Sequence, residues 1–197
     1  MSGALPVFRW RNPFVAALVV AVLQTAVLGY MIESRASILR NGKDVLLRSA
    51  PIDPRDLLRG ECVTLTYDIS RISPDIIVAG LPDEAVKAEL FVRLKQQPDG
   101  FWGPVEASFG PLAQTADSIV IRSLPFSYYP SNGAPPPTLY PNFGIERYYV
   151  PEGEGRVLET ARSAHALSVN VRVDSDGRAQ VRKVSIDGTQ VYEEPLY

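Results

Sequence analysis

The sequence predicts a mainly β (β-rich α+β) soluble domain, barrel-like or a sandwich, behind one N-terminal transmembrane helix. Three observations lead there. Residues 14–32, FVAALVVAVLQTAVLGYMI, contain no charged side chain. Beyond residue 42 the chain breaks into short stretches in which apolar and polar residues alternate, the period of a half-buried strand. Gly, Pro and Asp cluster between those stretches and supply the turns that hairpins need.

The totals fit this division. A chain of 197 residues accommodates an anchor and one domain of ordinary size. Hydrophobic residues make up 46% and charged residues 21%, the balance of a chain that folds. All 22 acidic residues follow Ile32, whereas Arg9 and Arg11 precede it, which leaves 18 basic residues behind and a domain charge of about −4. Nucleic-acid binding needs a basic face, so that class is disfavoured. Cys62 is the single cysteine, so no intrachain disulfide forms and no zinc or iron–sulfur centre can rest on several thiolates. Nothing in the composition calls for a cofactor.

Taken in order, residues 1–13 form a tail, expected to be cytoplasmic. Residues 14–32 span roughly 30 Å as a helix at about 1.5 Å per residue, and the helical pattern continues to about residue 40. A buried core helix is disfavoured because the run is apolar on all faces, as a membrane span is. A cleaved signal peptide would need small residues at its end, where Tyr30, Met31 and Ile32 stand. An uncleaved signal anchor is therefore expected. Arg35, Arg40 and Lys43 on the far side balance Arg9 and Arg11, but long domains translocate largely regardless of charge. The expected topology is N-terminus in, with residues 43–197 extracytoplasmic. Gln24 and Thr25 are the strongly polar side chains of the span: a spanning helix tolerates such a pair without function, or uses it in a helix–helix contact.

Asn41-Gly42 ends the helix, glycine accepting the left-handed conformation that helix ends favour, and residues 43–48 read as a first strand. Pro51 and Pro54 frame a turn in which Asp53 can cap residues 55–58. After Gly60, the residues Val63, Leu65, Tyr67 and Ile69 alternate with Thr64, Thr66 and Asp68, a strand buried on one face. Residues 73–86 read as a loop with one turn or strand near 76–78. Residues 85–94 alternate with Val86, Ala88, Leu90, Val92 and Leu94 on one side, and Gln97-Pro98-Asp99-Gly100 turns the chain back into a partner strand at 101–107. Residues 118–124 make a further strand. Residues 125–151 are rich in aromatics and proline, and residues 152–164 carry helical spacing. A last hairpin joins 167–173 to 178–186 through Asp174-Ser175-Asp176-Gly177, and Asp187-Gly188 turns toward Val191-Tyr192.

The segment Gly60-Glu61-Cys62-Val63-Thr64-Leu65-Thr66-Tyr67 resembles the motif of the bacterial GDYXXLXY proteins. Gly60, Leu65 and Tyr67 match, Glu61 stands for the aspartate and Cys62 for the first tyrosine. The turn bearing Asp53 and Arg55, and the later run from Phe143 through Glu146, Arg147, Tyr148 and Tyr149 to Gly153, are also similar to the family. The resemblance implies a single-pass protein of the bacterial inner membrane, encoded beside multi-span membrane proteins and so suited to such a partner. It implies no reaction, because the family's function is uncharacterised.

Candidate chemistry divides into three sets. Cys62 lies beside Glu61, whose charge raises a thiol pKa, and His165 is the single histidine with no ligand spacing around it; neither predicts a catalytic or metal site. Asp53, Glu61, Glu146 and Glu152 lie in or beside Gly/Pro-rich loops, with Arg55, Arg59 and Arg147 as neighbours. They form either ion pairs and turn caps or one polar cluster of a hydrolase-like or ligand-binding site. Phe126, Tyr128, Tyr129, Tyr140, Phe143, Tyr148 and Tyr149 either close the domain's open side or present a binding surface. The leading expectation is a domain that binds a membrane-protein partner; the alternatives are the hydrolase-like or ligand-binding site and a structural envelope component.

Overall fold

The structure is a computed structural model, and it describes residues 13–50, 62–130, 138–149 and 167–195. The predicted turn at 51–58 and the predicted helix at 152–164 lie outside the described residues. The chain divides into two units, Met1–Ser37 and Ile38–Tyr197.

Helix α1 runs from Pro13 to Asn41. Ala, Leu and Val fill it with no internal proline, and Pro13 takes the first position, where its missing N–H costs nothing. Residues 18–32 of the first unit are exposed, and by length and composition the helix can cross a membrane; a signal sequence meets the same test. Its last turn belongs to the second unit, where Ile38 and Leu39 are buried. The Gly42 N–H donates to the Ile38 carbonyl at 2.8 Å. Glycine is required here for space: a Cβ would lie 2.5 Å from the Ile38 oxygen and 3.0 Å from Arg172 Cβ. Gly42 is not among the glycines with positive φ, so the left-handed cap expected from the sequence is replaced by a close approach of backbones.

The second unit is β-rich, and its sheets form no closed barrel among the described residues. Its strands are β1 (Lys43–Ala50), β2 (Cys62–Thr64), β3 (Thr66–Tyr67), β4 (Val86–Ala88), β5 (Phe91–Gln96), β6 (Trp102–Ser108), β7 (Ile119–Arg122), β8 (Phe126–Tyr128), β9 (Arg147–Tyr149), β10 (Leu167–Val173), β11 (Ala179–Ile186) and β12 (Thr189–Glu193). They assemble as β12-β11-β10-β1-β3, as β6-β5-β7, and as the pairs β2-β9 and β4-β8. β1 lies antiparallel to β10 with Val45 opposite Val171 and Leu47 opposite Val169; all four are buried. Alternation in two strands at matched register thus builds one wall of the core.

Two strands read as continuous are broken. Leu65, Tyr67 and Ile69 face inward as expected, but β2 stops at Thr64, β3 resumes at Thr66, and a 3-10 turn follows at Asp68–Ser70. The partner changes at the break: β2 pairs with β9 and β3 with β1. The alternation expected over 85–94 also divides. Leu90, Val92 and Leu94 are fully buried, while Val86 is exposed on β4, which pairs with β8. At the division the Leu90 N–H donates to Ser123 Oγ at 2.8 Å, and the Leu90 carbonyl accepts from the Ser123 N–H at 2.9 Å. Around residues 73–78 a 3-10 turn at Pro74–Ile76 is capped by Ser73, and Ile77 bridges to Ala107.

Both predicted hairpins are present. The β5–β6 turn closes through the Gln97 N–H donating to Phe101 O at 2.8 Å, with Gly100 at φ +86°. In the β10–β11 turn, Asp174 Oδ1 accepts from the Asp176 and Arg178 N–H groups. Gly177, at φ +80°, then docks this hairpin on β7: its carbonyl accepts from the Arg122 N–H at 2.8 Å. That contact ties the five-stranded sheet to the three-stranded one.

Candidate functional site

The two segments that resemble the family motif lie against each other. β2 and β9 pair antiparallel, with Cys62 opposite Tyr149, Val63 opposite Tyr148 and Thr64 opposite Arg147. Past the end of this ladder, the Leu65 N–H donates to the Glu146 carbonyl at 2.7 Å. Tyr67 reaches deepest. It is fully buried, and its hydroxyl donates to the Ile145 carbonyl at 2.8 Å. The Tyr67 N–H in turn donates to Ser70 Oγ at 3.2 Å.

This tyrosine is held in its neutral form. Burial raises its pKa well above the ordinary value of 10.0, and the nearby Glu146 carboxylate adds to the rise. A neutral phenol keeps its proton for the carbonyl, so burial and the hydrogen bond reinforce each other. The segment it grips is itself an ordered turn. Glu146 Oε1 accepts from the Phe143 N–H at 2.6 Å, and Asn142 Oδ1 accepts from the Gly144 N–H at 2.8 Å. Gly144 sits at φ +79°, where a side chain would be strained. Glu146 Oε2 is buried and has no hydrogen-bond partner among the described residues.

Of the sequence-predicted site residues, Leu65, Tyr67 and Glu146 come together in this arrangement, and Arg147, Tyr148 and Tyr149 share its backbone ladder. The Arg147 side chain is exposed. Asp53, Arg55, Arg59, Gly60 and Glu61 lie outside the described residues, as does His165. Among the described residues, no group of three His, Cys, Asp or Glu side chains could hold a metal ion.

The aromatic residues divide. Tyr128 and Phe143 are buried, and Phe109 packs on Phe126 and Tyr128 with ring centroids 6.2 and 5.6 Å apart. Tyr129 and Tyr140 are more than 70% exposed. The two strongly polar residues of the stretch 14–32 divide likewise. The Thr25 hydroxyl donates to the Ala21 carbonyl at 2.9 Å, whereas Gln24 is exposed and makes no hydrogen bond to the described residues.

Sequence reasoning passed over Arg93. Its guanidinium, only 11% exposed, pairs with Glu106 at 2.5 Å and donates to Ala113 O at 2.8 Å and Ser118 Oγ at 3.0 Å. An arginine alternating with Val92 and Leu94 on a strand reads as a solvent-facing residue, and its acceptors lie 13 to 25 residues away, so no local signal existed.

A helix long and apolar enough to cross a membrane, followed by a β-rich domain in which a buried tyrosine fastens a loop, is the class that the fold and site define. Residues 24–184 match the family described as GDYXXLXY protein, and the chain belongs to that family. No curated protein and no solved structure matches it.

Proposed function

We propose that this is a single-pass protein of the bacterial inner membrane, with its N-terminus cytoplasmic and its β-rich domain extracytoplasmic, and that it binds a membrane-protein partner. The observation that carries the reading is Gln24. Its amide stands free within the uncharged stretch 14–32 of α1, while Thr25 beside it is satisfied within the helix. In hydrocarbon such an amide gains by meeting a polar group on another helix, by roughly 0.6–2 kcal/mol. Tyr129 and Tyr140 supply a second surface on the domain, exposed rings suited to contact.

The test is affinity purification of the tagged full-length chain in detergent, beside Gln24→Leu and a Tyr129→Ala/Tyr140→Ala double variant. Co-purification of one multi-span membrane protein, lost in either variant, supports the reading and identifies the surface. Recovery of the chain alone overturns it.

A second reading, a hydrolase-like or ligand-binding site built from Asp53, Arg59, Glu61, Glu146 and Arg147, is favoured by one observation: the buried Glu146 Oε2 without a partner among the described residues. A buried carboxylate oxygen left unpaired is costly, so a donor supplied by a ligand would stabilise the site. A thermal shift on adding a ligand, absent in Glu146→Gln, would favour this reading over the first. A structural envelope component would show neither a partner nor a ligand.

A further inference from the structure

We draw no further inference here: the strongest candidate, the stripe of small residues Ala17, Ala21, Thr25 and Gly29 along the exposed apolar face of helix α1, carries nothing because no second observation in the structure shows what covers it.

Discussion

Replacing Tyr67 with Phe tests the role of the buried tyrosine. The substitution keeps the ring and its packing and deletes one hydroxyl, whose partner is the main-chain carbonyl of Ile145. A neutral hydrogen bond contributes about 1 kcal/mol net, and leaving a buried acceptor unpaired costs about 1–3 kcal/mol. The loss of the phenol's own desolvation cost offsets part of this, so the expected destabilisation is about 2 kcal/mol. For a domain of this size that lowers Tm by roughly 4–8 °C, read by circular dichroism on the full-length chain in detergent. The pH arm has a definite sign. Below pH 10 the tyrosine is protonated in both states and its contribution is complete. Above pH 10 the unfolded chain releases the proton while the folded chain, with its raised pKa, holds it. Stability therefore falls with rising pH, by up to about 1.4 kcal/mol per pH unit from this one group, until the folded pKa is passed. Tyr67→Phe removes that component, so wild type and variant converge in stability above pH 10. A variant within about 0.5 kcal/mol of wild type at pH 7 and with an unchanged alkaline profile would refute the reasoning.

Three further outcomes follow from the packing. Gly177→Ala should cost about 2–4 kcal/mol, because the residue sits at φ +80° and its Cβ would lie 3.0–3.1 Å from Arg122 and Val120 O; Gly188→Ala, at φ +78° with nothing nearby, should cost only about 1 kcal/mol of backbone strain. Equal urea midpoints for the two would remove the docking role given to Gly177. Arg93→Met should destabilise by about 2–4 kcal/mol, since it strands Glu106 and the acceptors at Ala113 and Ser118; Glu106→Gln, which keeps an acceptor, should cost less, and the reverse order in denaturant titration counts against the network. A domain that begins at Lys43 should be less stable than one that begins at Ile38 by about 3–5 kcal/mol, the burial of Ile38 and Leu39 being lost, and equal unfolding midpoints would show that the helix end is dispensable.

The parts of the fold that are local in sequence were legible. Gln97-Pro98-Asp99-Gly100 and Asp174-Ser175-Asp176-Gly177 state their hairpins because turn chemistry acts over four residues. The apolar run of α1 states its own length. The inward alternation of Leu65, Tyr67 and Ile69 was also readable, yet the break at Leu65 was not. Alternation records which side chains point inward, as Leu65 and Tyr67 do; it does not record which strand receives the backbone. Leu90 illustrates the same point, with a serine 33 residues away taking its N–H. The candidate site was readable only as two separate segments, since the bond that joins them spans 78 residues.

That bond also bears on what the motif does. Leu65 and Tyr67, the last two matched positions, are both core residues, and neither offers a reactive group to solvent. The hydroxyl of Tyr67 ends on a main-chain oxygen, an acceptor that is present whatever side chain occupies position 145. A tyrosine so used needs no particular partner residue; it needs only that the chain at 143–147 be held in its turn, which Asn142, Gly144 and the Glu146 carboxylate accomplish. Leu65 works on the same segment through its own N–H. The end of the motif is therefore a device for fastening a distant loop to the core, and the position of Glu146, with one carboxylate oxygen bound and the other buried without a partner among the described residues, follows from that fastening. If Tyr67→Phe loosens the loop, the Phe143 N–H should exchange faster along with that of Leu65, because one hydroxyl holds the segment to which both are bonded.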